Sequence, residues 1–114
     1  MEKEKNIIAN GKLIFEGEYL NGKRNGKGKE YGYFGKLIFE GEYLNEEKNG
    51  KGKQDNNNGE LIFEGEYLKG ERWNGKGKEF NLNGNLMFEG EYLNGEKNGQ
   101  GKEYYDNGKV KFEG

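Results

Sequence analysis

Carboxylate pairs recur along this chain at a spacing that could serve catalysis or metal binding. A Glu-Gly-Glu triplet begins at Glu16, Glu40, Glu64 and Glu89. In an extended strand, carboxylates at positions i and i+2 project from one face, as a glycosidase acid and base or a set of calcium ligands would require. However, 19 basic residues oppose 21 acidic ones, and lysines recur between the triplets. The fourfold repetition with lysine therefore favours a solvated ladder of charge.

A second motif with potential chemistry is N-G-[KQ]-G-K, which begins at Asn25, Asn49, Asn74 and Asn98. It resembles a phosphate-binding loop, but it lacks the G-x-x-x-x-G-K-[ST] ending and recurs where strands begin. The chain also contains no Ser, Thr, Cys or His, which removes the usual nucleophiles, the imidazole base and the soft metal ligands. We therefore predict a protein that is not an enzyme, with no catalytic residue, no cofactor and no metal site.

Composition restricts the choice of partner. Leu, Ile, Val and Phe form only about a fifth of the chain, which is typical of disorder, but the net charge of −2 and the 14% aromatic content indicate an ordered chain. A nearly neutral chain offers no electrostatic reason to bind nucleic acid. No apolar run approaches the length that spans a bilayer, and the charged start leads into no signal region. We expect a cytoplasmic protein that is associated with membrane or cytoskeleton only through a partner.

An internal repeat determines the expected fold. The string FEGEYL begins at Phe15, Phe39, Phe63 and Phe88, so the units are 24, 24 and 25 residues apart. We interpret residues 1–114 as a single array whose repeats start near 13, 37, 61 and 86, with partial units at both ends. The extra residue falls in the third unit, in a segment that contains Trp73.

Turn signals divide each unit into two antiparallel strands. Each unit ends in an Asn-Gly pair or, at Phe34-Gly35, a Phe-Gly pair. Asn-Gly between alternating runs predicts a two-residue type I′ turn, as at 10–11, 58–59, 83–84 and 107–108, and we expect the same at 34–35. Between the two strands of a unit the sequence predicts a polar loop of about six residues. These turns give a continuous β-meander.

Charge and ring positions predict the strand register. If Tyr19 faces Gly26 across the polar loop, Glu18 faces Lys27 and Glu16 faces Lys29. The turn at 34–35 independently places Lys29 beside Glu40 and Lys27 beside Glu42, so each lysine of a second strand lies between two glutamates. The expected sets are Lys51 with Glu42 and Glu66, Lys53 with Glu40 and Glu64, Lys76 with Glu66 and Glu91, Lys78 with Glu64 and Glu89, and Lys102 with Glu89 and Glu113. A slip of one residue would break all of these pairs.

The opposite face carries the candidate binding residues. Phe-x-Gly-x-Tyr on first strands and Gly-x-Gly on second strands place rings over bare backbone. A contiguous aromatic strip without a covering layer is typical of an interaction surface. The predicted partner-binding groove consists of Phe15, Tyr19, Phe39, Tyr43, Phe63, Tyr67, Phe88 and Tyr92. Trp73 joins this set either as an anchor for the partner or as a lid over the adjacent ring.

The units FEGEYLNGKRNGKGKEY, FEGEYLNEEKNGKGKQ, FEGEYLKGERWNGKGKEF and FEGEYLNGEKNGQGKEYY resemble MORN repeats (membrane occupation and recognition nexus). The resemblance implies an all-β fold, a single-layer antiparallel meander of tandem hairpins that forms an elongated, solenoid-like ribbon. It also implies a non-enzymatic scaffold whose groove receives a protein segment, either a peptide or a helix.

Three further partner hypotheses stay open. The family name suggests a module that binds membrane phospholipid, although Glu46, Glu47, Glu71 and Glu96 interrupt the basic residues of the loops and prevent a polybasic cluster. Similar repeats suggest an antitoxin-like protein that neutralises a toxin. Unpaired strands at both termini suggest an end-to-end homo-oligomer.

Overall fold

The computed structural model of the chain describes residues 4–105 and 107–113. The predicted outer limits of the array, residues 1 and 114, lie outside these ranges. The described strands are β1 (Glu4–Ala9), β2 (Lys12–Leu20), β3 (Lys23–Tyr31), β4 (Leu37–Leu44), β5 (Glu47–Asp55), β6 (Leu61–Leu68), β7 (Glu71–Phe80), β8 (Leu86–Leu93), β9 (Glu96–Tyr104) and β10 (Val110–Glu113).

Every described strand pairs with its neighbours in chain order, and all pairs are antiparallel. The result is one open sheet measuring 47 × 30 × 15 Å, and the part of the chain that the structure describes contains no helix. The predicted all-β, single-layer meander of hairpins is therefore confirmed.

The tight turns and the longer loops are exchanged relative to the sequence prediction. The two strands of each unit are joined by the two-residue turns Asn21-Gly22, Asn45-Glu46, Lys69-Gly70 and Asn94-Gly95, with every φ between 49° and 84°. Positive φ at both central residues defines a type I′ turn. Between units, a three-residue loop leaves only the glycine at positive φ, for example Gly35 at 81°. The type I′ predictions at 34–35, 58–59, 83–84 and 107–108 are thus wrong, whereas Asn10-Gly11 is confirmed.

A β-bulge in the second strand explains the exchange. In the first unit a single residue of β2, Glu18, faces residues 25–27 of β3. Its carboxylate accepts a hydrogen bond from the backbone N–H of Lys27 (2.7 Å), and Glu42 does the same for Lys51 in the second unit (2.8 Å). The predicted six-residue loop is therefore wrong, because that segment is a tight turn followed by a bulge that absorbs the remaining residues.

The interfaces between units have the register that charge predicts. Lys53 lies opposite Glu40 on one side and Glu64 on the other, with its Nζ 3.6 Å from Glu64 Oε2. Tyr67 faces Gly50, but the predicted pairing of Tyr19 with Gly26 is wrong, because the bulge places Tyr19 opposite Arg24. Side chains alternate between faces along each strand, so this register places the Phe and Tyr rings of the FEGEYL strings on one face. The Glu-Gly-Glu carboxylates and the lysines paired with them lie on the other face, where the Tyr31 hydroxyl donates to Glu16.

The third unit departs from the predicted register. Glu64 pairs with Lys76 there, whereas the sequence placed Glu64 opposite Lys78 and Glu66 opposite Lys76, and both of those pairs are wrong. The extra residue, Trp73, shortens the bulge, and β7 is displaced by two residues along β6. A displacement by an even number keeps every side chain on its own face. The next interface, between β7 and β8, returns to the predicted register.

The two long edges of the sheet are connected differently. One edge carries the turns that join the two strands of each unit. There the backbone N–H groups of Glu46, Gly70 and Gly95 donate to the carbonyl oxygens of Arg24, Lys48 and Trp73 in the preceding unit, each at 2.9 Å. The Oδ1 atoms of Asn25, Asn49 and Asn74 add a second bond to the same turns. We call this the tied edge. Along the other edge, the loop edge, the backbone hydrogen bonds of the described loops close individual loops.

Candidate functional site

The eight rings of the predicted partner groove are the buried core of the sheet. Each is at most 8% exposed. They form an unbroken series of edge-to-face contacts with centroids 5.1 to 5.8 Å apart, in the order Tyr19, Phe15, Tyr43, Phe39, Tyr67, Phe63, Tyr92 and Phe88. Edge-to-face contact is the favoured geometry for aromatic pairs. Because the rings are enclosed, this face differs from the uncovered aromatic strip that the sequence suggested.

Glycine makes the enclosure of the rings possible. A Cβ atom on Gly52 would lie 2.8 Å from two atoms of the Phe39 ring and 3.0 Å from Cε1 of Tyr67. A Cβ atom on Gly28 would lie 2.6 Å from Cζ of Phe15. The rings therefore occupy the volume that any larger residue would need, as the sequence pattern predicted.

Basic side chains cover the outer side of the rings. One cation per unit lies 4.2 to 5.0 Å from the centroid of that unit's Phe ring: Arg24, Lys48, Arg72 and Lys97. Such cation–π contacts stabilise by about 0.5–2 kcal/mol each. Sequence reasoning missed these residues because it assigned them to flexible loops. Recognising the two residues after each FEGEYL string as the turn would have placed them on strands, on the ring face.

Tyrosine hydroxyls complete the closure of this face. Those of Tyr43, Tyr67 and Tyr92 donate to Glu30, Gln54 and Glu79, respectively, each on the preceding second strand. Burial raises the pKa of Tyr67 to about 12. Burial, together with the hydrogen bond to Glu79, raises the pKa of Tyr92 to about 12 as well. The phenol protons are thus held firmly, and the ring face has few polar groups left to offer a ligand.

Trp73 lies at the tied edge, away from the ring series. Its six-membered ring packs on the next turn, where Cζ3 would be 3.1 Å from a Cβ atom on Gly95. The side chain is half-buried. Trp73 therefore covers a turn, and not the adjacent ring that the lid interpretation named.

The open concave surface lies on the opposite face, between two rows of Glu and Lys side chains that run across the strands. We call these the charged rows. A trough of about 880 Å³ runs across β2 to β6. The backbone of one glycine per strand forms its floor, and glutamates and lysines of both rows form its walls. The lining residues include Glu16, Lys29, Glu40, Lys53 and Glu64 on one wall and Lys27, Glu42, Lys51 and Glu66 on the other. A smaller trough of about 370 Å³ lies across β6 to β8, where the register of the third unit changes.

Exposed apolar side chains flank the trough. Leucine ends each FEGEYL string two residues after a glutamate, so it projects on the same face as that glutamate. Leu20, Leu44, Leu68 and Leu93 are 37 to 53% exposed and form a column beside the charged rows. Sequence reasoning did not single out this column, although the period-two alternation of the string was the available signal. The face therefore combines charges of both signs with an apolar border.

The charged rows are arranged as a ladder and not as a cluster of ligands. Within residues 4–105 and 107–113, no group of three or more carboxylates is placed to hold a metal ion. No helix in that part of the chain could cross a bilayer. The ion pairs of the ladder range from 3.2 Å between Lys102 Nζ and Glu113 Oε2 to 3.9 Å between Lys29 Nζ and Glu40 Oε2, and the side chains of both pairs are exposed. Exposed pairs of this kind stabilise by about 0–1 kcal/mol each, so they contribute register and surface character more than stability.

Comparison with known families agrees with this architecture. The MORN repeat family matches residues 15–33, 39–60 and 88–110, which is more than half of the chain. The chain belongs to the MORN repeat family. The matched MORN segments lie in the first, second and fourth units, away from the extra residue Trp73. Among curated proteins, none matches the chain. MORN repeats mediate interactions with proteins or membranes and are generally non-enzymatic modules.

Proposed function

We propose that this MORN array is a non-enzymatic scaffold that binds a segment of a protein partner in the trough between its charged rows. The single observation that carries the proposal is the position of the concave surface, which lies on the Glu and Lys face while the rings of the other face are buried. We place the contact there, and not on the ring groove suggested by sequence, because a partner on the ring face would meet the capping cations before any ring.

Repeat geometry favours an α-helix as the bound segment. Neighbouring strands lie about 4.8 Å apart, so equivalent side chains of successive units recur at about 10 Å. In a helix that lies across the strands, residues seven apart project from the same side and are about 10.5 Å apart along the helix axis. Its charged residues would then meet charges of opposite sign in the trough, and its apolar residues would contact the leucine column. Rows that alternate in sign select the register and direction of such a helix more than they add affinity.

Site-specific photocrosslinking tests this assignment. A photoreactive residue at Leu44, on the border of the trough, is compared with the same residue at Leu82, which is fully exposed on the loop edge. We expect a discrete protein adduct from position 44 only. The adduct should disappear in a Lys51→Glu and Lys53→Glu double variant and persist in the matched Lys51→Arg and Lys53→Arg variant, with circular dichroism confirming the fold of both. Equal adducts from both positions would contradict the proposal.

Vesicle sedimentation distinguishes the membrane alternative. We expect no difference in binding between neutral vesicles and vesicles that contain phosphoinositide. Salt-sensitive binding to the anionic vesicles alone would instead support a lipid-binding module.

A further inference from the structure

The cation that covers the ring of the second unit lacks the carboxylates that accompany its counterpart in the first. In the first unit, Arg24 Nη1 lies 3.9 Å from Glu30 Oε2, and Arg24 Nε lies 3.7 Å from Glu46 Oε1. Arg24 is therefore flanked by one acid from its own second strand and one from the next turn. Half-buried charges are weakly screened by solvent, so these two acids offset a substantial part of its field.

The equivalent positions around Lys48 are occupied by Gln54 and Gly70. Gln54 corresponds to Glu30 because each accepts a hydrogen bond from the tyrosine hydroxyl of the next unit. Gly70 corresponds to Glu46 because its backbone N–H donates to the carbonyl oxygen of the preceding unit's cation. Lys48 thus lies 4.3 Å from the Phe39 centroid, with neutral groups at both places where Arg24 has acids.

A second cation, Arg72, lies on the same face, and the Glu79 carboxylate interacts with it electrostatically. Arg72 uses its Nη1 to donate to the Lys78 carbonyl oxygen and the Tyr92 hydroxyl, both at 3.2 Å. In the ranges that the structure describes, no ion pair within 4.0 Å involves Lys48 or Arg72. Since Gln54 Oε1 is engaged by Tyr67 at 2.9 Å, the amide N–H groups of Gln54 are left as donors. Lys48 Nζ lies 5.7 Å from the Tyr67 ring centroid, and Arg72 and Glu30 both act electrostatically on the Tyr67 hydroxyl.

We propose that Lys48 and Gln54, with Arg72, form a site for a carboxylate supplied by an acidic segment of a protein partner. The carboxylate would occupy the place that Glu30 and Glu46 fill in the first unit, which is why the site suits a Glu or Asp side chain. The site lies on the ring face, opposite the trough, so it goes beyond the proposed function and gives the scaffold a second, independent contact.

Titration with a blocked hexaglutamate peptide, followed by amide chemical shifts, tests the site directly. We expect the largest shifts at Lys48, Gln54 and Arg72. Gln54→Glu should weaken binding at least about tenfold, the scale of a close charge pair, because it supplies the missing acid from within the chain. Gly70→Glu should do the same from the side of the turn, where Glu46 shows that glutamate is tolerated at a φ of 77°.

Two variants provide controls in the opposite directions. Glu79→Gln removes the acid that lies 3.0 Å from Lys97 Nζ, and Gln54 demonstrates that the fold accommodates glutamine at this place. It should therefore create a second site and raise the number of peptides bound. Lys27→Gln alters the trough and should leave binding at Lys48 unchanged. Equal peptide affinity in the wild type, in Gln54→Glu and in Gly70→Glu would overturn the proposal. Binding of phosphate without binding of the peptide would also overturn it.

Discussion

At the scale of single residues, the rings can be buried because the glycines beside them carry no Cβ atom. Gly28 and Gly52 lie against neighbouring rings so closely that even a methyl group has no room. Protein interiors are close-packed and relax little around an added atom. Packing of the ring face therefore requires the absence of Cβ atoms on these glycines as much as it requires the Phe and Tyr rings.

Gly52→Ala should destabilise the protein by about 2 kcal/mol through overpacking, because its Cβ would lie within 3.0 Å of both Phe39 and Tyr67. Urea unfolding followed by circular dichroism measures the change. Gly59→Asn is the control, since nothing lies within 4 Å of a Cβ there and asparagine tolerates the left-handed conformation. Equal losses in the two variants would show that backbone conformation, and not ring packing, requires the glycines.

Alkaline pH should unfold the protein through its buried tyrosines. The pKa of Tyr67 and of Tyr92 rises from the ordinary value of 10.0 to about 12, so the folded state holds these protons more tightly than the unfolded state. The resulting stabilisation, on the order of 2 kcal/mol per tyrosine, is complete below pH 10 and lost as the pH rises from 10 to 12.

Urea unfolding at stepped pH, recorded together with phenolate absorbance, checks this window. A Tyr67→Phe and Tyr92→Phe double variant isolates the contribution of the phenols. Its stability should fall less steeply with pH than that of the wild type. Identical slopes would show that groups other than these two phenols cause the alkaline transition.

At the scale of strands and turns, the bulge determines the register. Asn25 and Gly26 follow so soon after Asn21 and Gly22 that one unit contains two turn signals of the same kind. The first forms the turn, and the second forms the bulge. In the third unit the same device accommodates Trp73 with an even displacement of β7, so the charged side chains stay on their face.

Deletion of Trp73 should therefore give a folded protein with the register of the other units. We expect Gly65 to pair with Gly77 in place of Gly75, and the Glu66 carboxylate to accept a hydrogen bond from the Lys76 backbone. Cross-strand contacts in nuclear magnetic resonance spectra report both changes. Deletion of Gly65, within a strand, should instead turn the following side chains to the wrong face and abolish folding. Retention of the Gly65–Gly75 pair after deletion of Trp73 would contradict this account.

The fold was predictable from sequence, whereas the location of the site was not. Glu and Lys alternate along strands with a period of two, and Tyr recurs opposite Gly, so register between units followed from those residues alone. The turn types did not follow. In the first and fourth units two Asn-Gly pairs follow FEGEYL with equal local preference, and in the second and third units the turn is Asn45-Glu46 or Lys69-Gly70. The location of the site did not follow either, because sequence reasoning took the rings for an uncovered surface and missed the cations that cover them.

At the scale of the whole molecule, stability is distributed along a line. Each unit contacts each neighbouring unit through one strand interface and one ring contact, as in other one-dimensional arrays. There is no second layer to link distant units, because the described sheet is only 15 Å thick. Damage at one ring should therefore spread to adjacent units and fade beyond them.

Phe39→Ala should lower hydrogen-exchange protection in β3 to β6 far more than in β8 and β9, because the ring contacts of Phe39 are with Tyr43 and Tyr67. Large aromatic truncations in a core cost about 3–5 kcal/mol. Exchange measured peptide by peptide with mass spectrometry reports the gradient. Phe88→Ala, near the end of the ring series, should produce the mirror-image profile. A uniform loss in both variants would indicate one cooperative unit.

The difference between the two long edges has a mechanical consequence. Hydrogen bonds join successive turns along the tied edge, whereas the backbone hydrogen bonds of the loop edge close loops one at a time. We expect the sheet to be stiff along the tied edge and compliant along the loop edge. Thermal bending should then change the distances between neighbouring loops while the tied edge keeps its length. Such bending would widen and narrow the trough without breaking a strand. The trough would then accommodate bound segments of different thickness.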